Sequence, residues 1–190
     1  MGKTGVTGAA GESLLIGRRK FFAGAAALAA PAIIPSVAQA AIARPKTLKF
    51  EHLHTGETLR ATFWADGDYV PDALDEINRH LRDHRTGEVY PINPKLMDLL
   101  HALRRKLDTG AEFRVISGYR SPKTNAKLAS KSGGVARKSL HMKGMAIDIR
   151  VPDRSTAQIH KAAKSLKLGG VGAYYKSAFV HVDVGRVRYW

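Results

Sequence analysis

One stretch late in the chain, Phe179-Val180-His181-Val182-Asp183-Val184, alternates between valine and polar residues. A period of two belongs to a β-strand and not to a helix. Val180, Val182 and Val184 therefore share one face, and His181 and Asp183 the other. Any fold this chain adopts must bury the valine face in a sheet-based core while an imidazole and a carboxylate stand on the opposite face. An all-helical fold is excluded by this segment alone.

A second segment repeats the arrangement. Residues 139–148 read SLHMKGMAID. A strand over Gly144–Val151 turns Met145, Ile147 and Ile149 toward the core and Ala146, Asp148 and Arg150 away from it. His141 lies in the loop just before, and Gly144 permits a sharp turn that brings it back over Asp148. If the two strands are neighbours, His141, Asp148 and His181 converge. Two imidazoles and one carboxylate suit Zn²⁺ with a fourth position open for water. Each residue also has a plainer reading: His141 as a loop residue, Asp148 as a turn cap or partner of Arg150, His181 and Asp183 as the polar face of an edge strand. Histidines also occur at 52, 54, 80, 84, 101 and 160, so their presence alone identifies no ligand. His80 and His160 fall on predicted helices and are expected to face solvent. Spacing leaves these alternatives open.

The rest of the sequence supplies both kinds of element. Residues 47–64 alternate around Thr55-Gly56-Glu57 and predict a β-hairpin. Pro71-Asp72 opens a helix with Leu74, Ile77 and Leu81 on one face, and His84-Arg85-Thr86-Gly87 ends it. Asn93-Pro94 caps a second helix with a stripe of Leu96, Leu99, Leu100, Leu103 and Leu107. Phe113–Ile116 predicts a buried strand, broken by Ser117-Gly118-Tyr119-Arg120-Ser121-Pro122, with a short helix near Asn125–Ser130. Residues 130–139 form a polar, basic loop. Ser155 caps a helix to about Leu168, and Gly169, Gly170 and Gly172 lead into strands at Phe179–Val184 and Val187–Trp190. The expected class is α+β: one domain, with a central, mostly antiparallel sheet and flanking helices.

The formal charge of +15 predicts an anionic partner. The first 40 residues narrow that choice. Arg18-Arg19-Lys20-Phe21-Phe22 precedes a mildly apolar run, and Ala38-Gln39-Ala40 supplies a small-residue cleavage step. This pattern resembles a twin-arginine export signal cut after Ala40. The apolar run carries Pro31 and Pro35 and is too short for a stable membrane span. Cleavage removes four cations and one glutamate, so 41–190 keeps +12. A periplasmic or exported chain makes nucleic acid an unsuitable partner and the carboxylate-rich bacterial cell wall a suitable one. The absence of cysteine excludes disulfides and thiolate chemistry.

Three blocks in order, Ser117–Ser121, Ser139–Asp148 and His181–Asp183, resemble the D-Ala-D-Ala metallopeptidases, whose wider fold is shared with lysostaphin-type and hedgehog domains. The layout over 47–190 looks closest to the murein endopeptidase K branch. The resemblance implies one zinc ion per chain on His141, Asp148 and His181. It implies a substrate- or carbonyl-contacting role for Arg120 and a substrate-contacting role for Ser139. A guanidinium suits that work because it holds a carboxylate with two hydrogen bonds. The implied reaction is hydrolysis of peptidoglycan stem-peptide cross-links by a zinc-activated water, with a monomer expected. The alternatives are a D,D-carboxypeptidase trimming terminal D-alanine and a non-catalytic zinc-containing wall-binding module. One departure stands out: the run before His181, Lys176-Ser177-Ala178-Phe179-Val180, lacks the acid that usually serves as general base. Asp183 is the first substitute, either as base or as the group that orients a ligand histidine. His84 is the second candidate, for proton transfer or substrate contact.

Overall fold

The computed structural model describes residues 44–131 and 135–190. The predicted export signal lies outside them. The strands are β1 (Lys46–His52), β2 (Thr58–Ala65), β3 (Asp68–Tyr69), β4 (Phe113–Ser117), β5 (Ala146–Arg150), β6 (Gly170–Tyr174), β7 (Phe179–Asp183) and β8 (Arg188–Tyr189). The helices are α1 (Pro71–His80), α2 (Pro94–Leu107), α3 (Pro122–Lys131) and α4 (Thr156–Leu166), with a 3₁₀ turn over Leu140–Lys143.

The two alternating segments are neighbours. β5 and β7 pair antiparallel, with Ile147 opposite Val182, Asp148 opposite His181 and Ile149 opposite Val180. This register places all four aliphatic residues on one face and the ionisable pair on the other, as a period of two demands. The eight strands form one sheet in the order β3-β2-β1-β4-β5-β7-β6-β8, antiparallel except for β1 with β4 and β6 with β8. The chain is α+β, with one core.

That core lies on a single face of the sheet. Leu48, Phe50, Phe63, Phe113, Val115, Ile147, Ile149, Val180 and Val182 meet the apolar stripes of α1, α2 and α4, including Ile77, Leu96, Leu100, Leu103 and Ile159. Full burial of one such side chain stabilises by about 1.5–3 kcal/mol. The opposite face of β5, β6 and β7 is left to the ionisable residues.

Several boundaries differ from the sequence reading for physical reasons. Helix α2 starts at Pro94 as expected, with the Asn93 side chain accepting from Lys95 N. Ser155 builds a full capping box with Gln158 at the start of α4, which stops at Leu166 because Lys167 adopts a left-handed conformation. Helix α3 begins at Pro122, earlier than predicted, with proline suited to a first helical turn. The glycine-rich lead-in at 170–174 is itself a strand, β6, because Val171 and Ala173 face the core opposite Val182 and Val180. His80 is buried, which corrects the expectation that it faces solvent. It lies three residues after Ile77, on the same stripe of α1, and packs 5.8 Å from the Phe50 ring. His160 is half-buried, with its ring edge-on to Tyr175 at 6.5 Å.

Candidate metal centre

His141 is carried by the 3₁₀ turn between the basic loop and β5. The Ser139 hydroxyl accepts from His141 N at the start of this turn. Gly144 ends the turn with φ +62°, a conformation open to glycine, and a methyl there would overlap the Pro91 carbonyl. The turn delivers the imidazole to the open face of the sheet beside Asp148.

There His141, Asp148 and His181 offer ligand atoms that all lie within 4.8 Å of one another, and all three residues are buried. His141 Nε2 is 3.3 Å from Asp148 Oδ1 and 3.2 Å from His181 Nδ1. His181 Nδ1 is 2.8 Å from the same carboxylate oxygen. The outer nitrogens are held by oxygens. His141 Nδ1 donates to the Gly118 carbonyl at 2.7 Å, and His181 Nε2 to Asp183 Oδ2 at 3.0 Å. Each ring is therefore fixed with its remaining nitrogen aimed into the cluster.

The electrostatics follow from this packing. Burial acts to raise the Asp148 pKa, but the charges and hydrogen bonds of His141 and His181 outweigh it and hold the carboxyl well below its ordinary value. Burial acts to lower the His181 pKa, and its hydrogen bonds to Asp148 and Asp183 turn the net shift upward. The triad is thus built around charge that compensates within the cluster, as buried ionisable groups require.

Asp183 stands behind His181, on the side away from Asp148, and is 0% exposed. Its Oδ1 accepts from Gly170 N, Gly185 N and Arg188 Nη1, and its Oδ2 from His181 Nε2 and Arg188 Nη2. Burial pushes its pKa up, yet this set of donors holds it well below the carboxylate range. Its contact with the triad is to the outer nitrogen of His181.

Arg120 is reached through two devices. A β-bulge between Val115 and Ser117 re-aims Ser117 to lie opposite Asp148. The Asp83 carboxylate accepts from both the Ser121 amide (3.0 Å) and hydroxyl (2.7 Å), pinning the segment that follows. Arg120 then places Nη2 3.3 Å from Ser117 Oγ and 3.4 Å from Asp148 Oδ2, and Nη1 3.4 Å from Asn125. All three contacts are long, and its buried Nε has no partner among the described residues.

His84 is elsewhere. Its ring stacks on His54 at 4.1 Å and lies 5.4 Å from His52, in a histidine group that also includes His80. It does not line the cleft that holds the triad. That cleft has a volume of about 340 Å³ and adds Lys138, Ser139, Tyr174, Phe179, Arg188 and Trp190 to Arg120 and the triad. Of these, the sequence gives a site role to Ser139 alone; Lys138, Tyr174, Phe179, Arg188 and Trp190 are added by the structure. The signal that marks Tyr174 is the alternation of β6, which puts it on the same face as Gly172, directly beside His181.

Comparison with known proteins agrees with this geometry. Residues 40–190 match the peptidase M15 family model described as peptidoglycan L,D-endopeptidase MepK. A protein of that description from Escherichia coli (strain K12) is 43% identical over 176 residues, covering 91% of this chain and 96% of the relative. The Shigella flexneri counterpart shows the same figures. A relative from Haemophilus influenzae is 38% identical over 161 residues, covering 83% of this chain and 87% of its own. The chain belongs to the MepK family of M15 peptidoglycan metallopeptidases.

Proposed function

We propose that this chain is a zinc-dependent peptidoglycan endopeptidase that hydrolyses a cross-link amide between an L- and a D-centre. The observation that carries the reading is the convergence of His141, Asp148 and His181 on the open face of the sheet. Their three donor atoms stand 2.8–3.3 Å apart. Bonds of about 2.0–2.1 Å to a tetrahedral zinc require donor separations of roughly 3.3 Å, so the set fits with little movement. The donor chemistry, two imidazoles and one carboxylate, also fits a site that keeps one position open. Zinc held there supplies Lewis-acid activation of water and of the scissile carbonyl. The described residues hold one such cluster, with all three donors from one chain, which supports one ion per chain and a monomer as the working unit.

The protein's own groups divide the remaining work. His141 and His181 are kept in the correct tautomer by Gly118 and Asp183. The fully engaged carboxylate of Asp183 supports the orienting role over that of general base. Arg120, whose Nη contacts are all long, has donor capacity for a substrate oxygen where negative charge develops. Ser139 supports the turn that carries His141 and also borders the cleft, within reach of a bound peptide. The scissile C–N bond breaks as the water oxygen joins the carbonyl carbon, and the leaving nitrogen takes up a proton. Among the described residues, Asp148 is the one carboxylate lining the cleft, so neither Asp183 nor His84 is favoured as the proton carrier.

Export through the twin-arginine route, with cleavage after Ala40 and action in the periplasm, completes the reading. It rests on the Arg18-Arg19 segment and on the relatives' substrate. No helix among the described residues is long and apolar enough to cross a membrane.

The test is zinc content of purified 41–190 together with mass spectrometry of digested peptidoglycan, wild type against His181→Ala. The expected result is one zinc per chain and loss of cross-linked muropeptides in the wild type alone. Metal bound without cleavage would leave only a wall-binding role, and absence of metal would remove the reading altogether.

A further inference from the structure

The cleft has a second polar edge that the reaction does not use. Gly172 lies directly opposite His181 in the sheet, and any side chain at this position would overlap the Trp190 indole. The missing side chain lets the indole lie against β6, with its ring centre 5.3 Å from that of His181. The Arg188 guanidinium lies over the same ring, 5.0 Å from its centre, and is tied to Asp183. The indole N–H donates to the Tyr174 hydroxyl at 3.0 Å. The Tyr174 ring in turn stacks on Phe179 at 4.5 Å. The phenol is thus fixed by its ring and by its oxygen.

A phenol has one proton to give and lone pairs to receive. Tyr174 receives from Trp190, and its own O–H donates to no protein group among the described residues. It lines the cleft with that donor free. Lys138 also lines the cleft, is exposed, and has no carboxylate partner among the described residues. Arg188 also borders the cleft, but its charge is spent on Asp183. A preorganised O–H donor and an uncommitted ammonium lining one cleft of about 340 Å³ supply the donors a carboxylate needs. The apolar faces of Phe179 and Trp190 beside them suit the aliphatic chain that bears it.

We propose that Tyr174 and Lys138 form a subsite for a free carboxylate of the substrate, in the same cleft as the scissile amide. This rests on the endopeptidase reading of the triad. The subsite selects cross-links by an acid group and leaves the chemical step to the metal centre and Arg120. Its loss therefore appears in KM, with kcat and zinc content preserved.

The experiment is a cycle between enzyme and substrate. A cross-linked muropeptide and its counterpart with the diaminopimelate carboxylates amidated are digested by wild type, Tyr174→Phe and Lys138→Met. Hydrogen bonds to charged groups support an effect of about tenfold. Amidation should raise the wild-type KM about tenfold. Each variant should raise KM about tenfold on the acid and far less on the amide. Equal losses on both substrates would mean that Tyr174 merely supports the aromatic wall, and the subsite would be abandoned. So would a wild-type enzyme that cleaves both substrates with the same KM. Failure of the wild type to cleave either one would instead refute the endopeptidase reading, which the same digest distinguishes.

Discussion

At the scale of single residues, the candidate centre depends on what stands behind each candidate ligand. His181 owes its orientation to Asp183, which gathers five donors while excluded from solvent. Asp183→Asn preserves size but replaces one accepting oxygen by an amide nitrogen, which cannot accept from Arg188 or His181. Loss of such a partner behind a ligating histidine costs about 10–100-fold in metal affinity. Competition with a chromophoric chelator should show that loss, and unchanged affinity would remove the orienting role. Gly172→Ala makes a different prediction. The added methyl displaces the Trp190 indole and with it the hydrogen bond to Tyr174. Tryptophan fluorescence should change while zinc binding stays, since the nearest atoms to the added methyl all belong to Trp190. The convergence of His181 and Asp148 was readable because both interrupt valine and isoleucine alternation on strands that pair. The sequence was unreadable at Asp83, Ser117 and Trp190, whose roles arise from a turn, a bulge and a close approach that no spacing encodes.

At the scale of elements, the long helices and alternating strands were legible because each carries an apolar period that matches its conformation. Strand β6 was not, because two of its five positions, Gly170 and Gly172, are glycine and leave no apolar alternation to read. The end of α1 was misread for a related reason. His80 is polar by composition but occupies the stripe of Ile77, so tertiary packing takes it inside. It meets His52 at 6.0 Å, and His52 and His84 lie 5.4 Å apart. Burial, followed by the charge of its neighbour His52, pulls the His80 pKa down to about 4 from 6.5. Burial and then Arg85 do the same to His84. The native state therefore takes up fewer protons than the unfolded chain between these values. The stabilising effect of keeping both rings neutral is fully present above pH 6.5. It shrinks as pH falls from 6.5 toward 4. Denaturant midpoints measured across that window should decline in wild type and decline less steeply in His80→Leu. Parallel curves would mean that the histidine group does not govern acid stability.

At the scale of the whole molecule, one sheet separates two jobs. The aromatic and aliphatic core lies between it and α1, α2 and α4, while the triad, Arg120 and the aromatic wall occupy the other face. Because strands alternate, the residues that close the core and those that form the centre are interleaved along β5 and β7 without competing for the same space. The triad also has internal partners of its own: Asp148 accepts from His181, and Gly118 and Asp183 hold the outer nitrogens. Such an arrangement does not need an ion to satisfy its buried polar atoms, unlike a small zinc domain whose fold is created by the metal. Chelation should accordingly abolish cleavage while leaving the circular dichroism spectrum in place. Free zinc should raise the melting point only through mass action, about 4 kcal/mol at a thousandfold excess over Kd. Returning zinc should restore cleavage without a refolding lag. If the chelated protein instead loses its secondary structure, the core on the far side of the sheet is insufficient alone, and the metal centre is an element of the fold as well as of the reaction.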